Sequence, residues 1–357
     1  MSDELAKPYD LPPEWAIQSG VMLTWPHQAS DWRAYLADVE PVFVHIAQAI
    51  CRFETLLISA NDATHQIHIQ KLLISAQIAQ ERFRIYIASS NDSWTRDHGP
   101  ITLLSDQQVL LLDFEFNGWG NKYNSQLDNQ ITRRLHQQNA FGNAQLRSIP
   151  FVLEGGSIDV DGNGTLLTTS RCLLDKHRNQ ISDKTTVSQQ LKAHLPIDRI
   201  LWLDHGYLEG DDTDSHIDTL ARFVNPQTIV YVACSDPTDS HYPALQKMRQ
   251  QLESFTNKQG QVYQLIPLPW PDPKYDNEQR RLPATYANFL IINDAVLVPQ
   301  YEDPADEQAL AILQSCFPER AIIGIPCNPL IQQNGSLHCL TMQLPEGVLS
   351  EIDKGNS

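Results

Sequence analysis

Short strand-like runs recur along the whole chain with helical stretches between them, and this alternation constrains the fold more than any other feature. The runs are VMLTW at 21–25, ETLLIS at 54–59, RIYIA at 84–88 and VLLLDFEF at 109–116. Further along come TLLTT at 165–169, TIVYVA at 228–233, YANFLIIN at 286–293 and AVLVP at 295–299. Between them, residues 31–50 carry Val39, Val42, Phe43 and Ile46 at helical spacing. Other helices are expected over 64–80, 185–194, 241–254 and 305–316, the last opened by Asp303–Pro304. Strands interleaved with helices from end to end predict an α/β architecture. No compositional break divides the chain, so one domain is expected over residues 1–357. The turns NGWGN at 117–121 and DGNG at 161–164 read as hairpins, which a purely parallel doubly wound sheet would not need.

Composition excludes several classes. An apolar share of 41 % is ordinary for a folded protein. The balance of 26 Lys+Arg against 43 Asp+Glu gives a net charge of −17, which argues against nucleic acid as a partner and modestly favours cationic ligands. Six cysteines, at 51, 172, 234, 316, 327 and 339, form no CxxC pair, a scatter that fits reduced thiols rather than disulfides or zinc. The N-terminal stretch MSDELAKPYDLPPEW holds no apolar leader core, and no window approaches the length of a membrane span. A cytoplasmic location is expected.

Four polar islands carry the candidate chemistry: NDSWTRDHGP at 91–100, EGGSIDVDGNGTLLTT at 154–169, DDTDSHID at 211–218 and LHCLTMQ around Cys339. In the first, Asp92 is as well explained by turn formation, whereas Asp97 between Arg96 and His98 reads as functional. In the second, Glu154 ends the apolar run PFVL where the backbone must bend at two glycines. The following DVDGNG imitates a calcium loop, but its twelfth position is Ser170 and its flanks are strand-like, so a hairpin explains it. In the third, His216 reads as a general acid/base, with Asp218 on the same face if the segment is extended. A metal-dependent hydrolase using DDTDSHID is a reading from a different class, although a third ligand is wanting. In the fourth, Cys339 is a candidate nucleophile, with His338 on the opposite face of the expected strand. Cys172 is a weaker competitor, and the other cysteines read as structural.

Taken together, these islands resemble the agmatine deiminase family, guanidine hydrolases related to the bacterial peptidyl-arginine deiminases. The resemblance runs nearly end to end. It includes TWPHQASDW at 24–32, FNGWG at 116–120, CLLDKHRNQ at 172–180, RLPATYANFLIIN at 281–293, PQYEDPAD at 299–306 and GSLHCLTMQLP at 335–345. It implies a five-bladed α/β propeller of the pentein type, built from ββαβ units with pseudo-fivefold symmetry, although no sequence repeat is visible. It also implies Cys339 as nucleophile, His216 as acid/base and Glu154 as the carboxylate orienting it. Asp97 and Asp218 would grip the guanidinium, and Trp94 would wall the pocket. Where the family usually carries three glycines and Asn before its Ile-His-Cys, this chain has Gln332-Gln333-Asn334-Gly335-Ser336. Its DSHID also replaces the family's usual Asp-Gly-His-Val-Asp.

The chemistry suits these residue types. Two carboxylates can take the N–H edges of a planar guanidinium, and a thiol forms its nucleophilic anion far more readily than a hydroxyl. The resemblance implies hydrolysis of agmatine to N-carbamoylputrescine and ammonia, a step in polyamine biosynthesis, with no metal or organic cofactor. Peptidyl or free arginine are the rival substrates, and a carboxylate-bearing substrate wants an Arg to meet it. Only Arg96 is offered by the motifs. A non-catalytic polyamine-binding relative would be expected to lack Cys339. A homodimer is possible, and neither nucleic acid nor membrane is expected as a partner.

Overall fold

The computed structural model describes residues 9–349, and within them the fold is mixed α/β. Among the described residues the strands form five sheets of three or four strands and one two-stranded ribbon. The five sheets share one pattern: an antiparallel pair, then a helical crossover to a parallel strand. Ile101–Leu104 pairs antiparallel with Val109–Glu115, which runs parallel to Gln145–Val152. Ile158–Val160, Thr165–Thr169 and Arg199–Leu203 repeat the pattern. So do Ala221–Asn225, Thr228–Val232 and Gln264–Leu268, and then Leu290–Ile292, Ala295–Gln300 and Ala321–Pro326. The remaining sheet joins the two ends of the chain. Its strand Thr341–Pro345 pairs antiparallel with Gln18–Thr24, which continues in parallel to Thr55–Ala60 and Phe83–Ile87.

Six of the eight strand runs read from the sequence are central members of these sheets, because a strand buried on both faces is continuously apolar, whereas RIYIA and YANFLIIN give the edge strands Phe83–Ile87 and Leu290–Ile292. Thr165–Thr169 and Thr228–Val232 are buried at every position. The parallel outer strands at 145–152, 264–268 and 321–326 were not among the expectations. They are half-exposed and carry Pro150, Pro267 and Pro326, which a sheet tolerates only at its edge. The expected helices are present as Leu36–Cys51, Ala63–Ser75, Lys184–His194, Tyr242–Glu253 and Asp306–Cys316. Val39, Phe43 and Ile46 are fully buried on one face of the first. DGNG is the hairpin turn that was expected, between Ile158–Val160 and Thr165–Thr169. NGWGN is not a hairpin. The strand before it runs parallel to the next, and Gly118, Trp119 and Gly120 all sit at positive φ in a left-handed turn.

A short helical turn precedes the first strand of four sheets: Thr95–His98, Gly155–Ser157, Ile217–Thr219 and His338–Leu340. In the fifth sheet the equivalent place, just before Leu290–Ile292, is occupied by Asn288. These five places meet. Thr95–His98 touches both Gly155–Ser157 and His338–Leu340, and Gly155–Ser157 touches Ile217–Thr219. No helix among the described residues is long and apolar enough to cross a membrane.

Candidate active site

Each of those meeting places delivers one or two side chains to a common centre. Cys339 Sγ lies 3.7 Å from Asp218 Oδ2 and 3.3 Å from Asn288 Nδ2. Asp97 Oδ1 is 3.5 Å from His216 Nδ1 and accepts from the Gly156 backbone N–H at 3.0 Å. Its other oxygen accepts from Trp119 Nε1 at 2.9 Å. Gly156 is needed for this convergence. A Cβ there would stand 2.6 Å from His216 Nδ1, 2.9 Å from Asp97 Oδ1 and 3.1 Å from Asp218 Oδ2.

A cavity of about 160 Å³ opens onto this cluster. Trp94, Asp97 and Cys339 line it, together with Trp119, Tyr123, Asp31, Asp92, Asp212 and the segment Gln332–Gly335. His216, Asp218 and Glu154 lie beneath its floor, each with no exposed surface. The lining holds four aspartates and neither Arg nor Lys. The segment in which this chain departs from the usual agmatine deiminase pattern is therefore one wall of the cavity. Asn334 Nδ2 donates to Asp212 Oδ2, which also accepts from Tyr123 OH, both at 2.6 Å.

Charge in the empty site is unbalanced. Burial, followed by the carboxylates Asp218 and Asp97, pushes the Cys339 thiol well above its ordinary value. Burial, Asp218 and Glu154 push Asp97 up to about 6, against His216 and the Trp119 hydrogen bond. His216 moves the other way. Burial disfavours its imidazolium, but Asp97, Cys172 and Glu154 outweigh that and push it up to about 10. The His216 ring lies between Asp97 and Cys172, while Asp218 Oδ1 is buried with no hydrogen bond among the described residues.

Several sequence expectations need correction. His216 and Asp218 do not share the face of an extended strand. His216 caps the turn Ile217–Thr219, and Asp218 points instead to His338 Nδ1 at 2.8 Å. His338 does not face away from the site, since residues 338–340 form a helical turn and the strand begins at Thr341. Glu154 makes no direct hydrogen bond to His216. Both its oxygens accept from Arg178 Nε, at 2.9 and 3.0 Å, while Arg178 also donates to Asp214 and the Thr213 carbonyl. Cys172 lies behind the imidazole, away from the cavity lining.

Glu154, Cys172 and His216 do present ligand atoms within 4.8 Å of one another. A metal ion there would have to displace or adjoin the Arg178 guanidinium, already bound to Glu154. The DDTDSHID carboxylates do not converge either. Asp211 serves the turn through Thr213 and Ser215, Asp212 faces the cavity, and Asp214 pairs with Lys122 and Arg178.

Glu14, Arg178, Trp119 and Asn288 hold site groups in place and were not among the expectations. Trp119 and Arg178 fall inside stretches already quoted for the resemblance, FNGWG and CLLDKHRNQ, and that was the available signal. Arg96 turns to the far side of the centre, donating to Gln343 Oε1 and lying 3.6 Å from Glu14.

A mixed α/β chain with a thiol, an imidazole and several carboxylates gathered at one cavity has the makings of a hydrolytic thiol site. The sequence model of the Porphyromonas-type peptidyl-arginine deiminases matches residues 10–345, and the chain belongs to that family. It is 32 % identical to an agmatine deiminase of Pseudomonas syringae over 94 % of this chain and 95 % of that one. Among solved structures, a Porphyromonas gingivalis chain with the provisional name arginine deiminase is 48 % identical, with a TM-score of 0.90 over 96 % of this chain and 100 % of that one. A substrate-bound Campylobacter jejuni agmatine deiminase is 37 % identical, with a TM-score of 0.88 over 98 % and 99 % of the two chains.

Proposed function

We propose that this protein is an agmatine deiminase, hydrolysing the guanidinium of agmatine to N-carbamoylputrescine and ammonia. The observation that carries the substrate is the cavity lining, with four aspartates and no cationic side chain to receive an α-carboxylate. Relatives named agmatine deiminase, at 32 % identity over nearly the whole chain, support the same reading.

In this mechanism Asp97 and Asp218 take the N–H edges of the guanidinium, with Trp94 and Trp119 against its flat faces. Binding a cation neutralises the two carboxylates that push the Cys339 thiol up, so the thiolate forms when substrate arrives. The thiolate attacks the guanidinium carbon. His216, its proton held by Asp97 and Glu154, gives that proton to the departing nitrogen, and the C–N bond breaks to release ammonia. Water then attacks the amidino-cysteine carbon as His216 takes its proton. The C–S bond breaks, leaving the ureido product and the thiolate. Glu154, clamped by Arg178, fixes the field around the imidazole rather than bonding to it.

The same reading makes the five sheets the blades of a five-bladed propeller, whose five turn positions face one axis. It also places the reaction in the cytoplasm, where the six free cysteines stay reduced.

The test is ammonia release from agmatine, free arginine and a C-terminal-arginine peptide, with Cys339→Ser as blank. Agmatine-selective release lost in the variant supports the proposal. Preference for arginine or the peptide keeps the chemistry and moves the substrate.

A further inference from the structure

Behind the cavity floor, an acidic residue from the segment preceding the first strand reaches the site through one imidazole. Glu14 is 5 % exposed, yet its carboxylate meets four donor groups. Ile291 N–H donates to Oε1 at 2.7 Å, Arg222 Nη2 donates to Oε2 at 2.9 Å, and Arg96 Nη2 lies 3.6 Å away. The fourth is His338 Nε2, 2.7 Å from Oε2. The other ring nitrogen, Nδ1, is 2.8 Å from Asp218 Oδ2. The two ring nitrogens of His338 are therefore spanned by two buried carboxylates, one behind the site and one in it.

Both carboxylates are held in the charged form. Burial raises Glu14, but Arg222, His338 and Arg96 together hold it well below the usual carboxylate range. Burial likewise opposes Asp218, and His338, His216 and Arg222 overcome it. Only one oxygen of Asp218 is taken up by this bridge. The other, Oδ1, is buried without a partner.

We propose that Glu14 is a positioning residue for substrate binding, acting through His338 to hold Asp218 by one oxygen and leave the other for the guanidinium. This rests on the reading of Asp218 as a guanidinium ligand. The Arg222 ion pair alone would be a structural reason for Glu14 to be there. The second contact, to an imidazole that ends on a site carboxylate, is what a structural role does not require. Glutamine at position 14 keeps the shape and replaces the carboxylate against Nε2 with a neutral amide, so the contact that fixes the imidazole against Asp218 is weakened.

The first test needs no substrate. In ¹⁵N-histidine-labelled protein both His338 ring nitrogens are expected to be hydrogen-bonded, Nε2 with Glu14 and Nδ1 with Asp218. His338→Asn assigns its resonances. In Glu14→Gln both resonances should move, Nε2 through its altered partner and Nδ1 through the ring's changed hold on Asp218. The second test is steady-state kinetics on whichever guanidino compound is turned over. Because the Asp218 grip acts alike in ground and transition states, Glu14→Gln should raise KM about tenfold with kcat little changed. His338→Asn, which keeps a donor toward Asp218 but cannot reach Glu14, should shift KM the same way and stands in if Glu14→Gln does not fold. Unmoved His338 resonances in Glu14→Gln would overturn the proposal, as would unchanged KM in a folded variant or a loss confined to kcat. Absence of turnover on all three guanidino compounds would instead count against the function reading, and the imidazole measurement would still decide the bridge.

Discussion

On the cavity side of the centre, Asp31, Asp92, Asp97 and Asp212 face open space with no basic side chain among them. On the opposite side, Glu14 and Asp159 are packed against Arg222, Arg96 and His338, with every carboxylate in a buried ion pair. The residue types are nearly the same, and what differs is the supply of cations. Burial raises Asp92 to about 7 and Asp97 to about 6, and raises Asp159 to about 6 even beside Arg222, whereas Arg222, His338 and Arg96 together hold Glu14 far down. The front is a set of acids lacking a cation, which a substrate supplies. The back has brought its own. The same chemistry serves binding in one place and stability in the other.

The largest expected effect lies at the thiol where the two sides meet. Cys339→Ser should lower kcat by about five to six orders of magnitude, the scale of losing a nucleophile, as ammonia release would report. Substantial residual turnover would move the nucleophile elsewhere. Next, Asp97→Asn should reduce kcat/KM by roughly 3–5 kcal/mol of binding energy, since the guanidinium would be buried without one of its partners. The same variant should raise the unfolding midpoint of the empty protein at neutral pH. A carboxyl raised by the fold is best tolerated when protonated, and its contribution is lost as pH climbs through about 6. A fall in stability would mean that the front and the back do not differ as described.

Arg222→Met probes the other side. It strands the Glu14 and Asp159 carboxylates and should cost about 3–5 kcal/mol in chemical denaturation. The smallest effect is a pH limb. Because Asp97 must be ionised to hold a cation, kcat/KM should fall about tenfold per unit below about pH 6. The limb in kcat should lie at lower pH, because bound substrate favours the carboxylate. Coincident limbs would detach Asp97 from binding.

How much of this could be read beforehand follows from the range of each contact. Trp94, Asp97 and Cys339 sit in compact motifs, and the structure brings them to one cavity. The central strands were legible because burial on both faces leaves an apolar run. The partnership of Glu14 with His338 was not, since it joins residues 324 apart and the sequence there shows only an acid between Pro13 and Trp15. His338 was given to the wrong face because a strand period was extended back over a helical turn. The repetition of the sheets was hidden for a related reason. It is kept in strand order and direction while the side chains at equivalent places differ, with Asp97, Gly156, Asp218, Asn288 and Cys339 at the five turns.

The pairing of Gln18–Thr24 with Thr341–Pro345 also sets when the molecule can finish folding. Four of the sheets can assemble from neighbouring stretches, but this one must bring Ser19 to the Leu344 carbonyl, 325 residues along. Closing so long a loop is slow and entropically costly until the last contacts compensate it. Cys339 lies two residues before that strand, so its sulfur is buried in place only as this long-range sheet pairs. Loss of that pairing, by a substitution in either strand, should therefore disorder the Cys339 turn while leaving the other four sheets able to form.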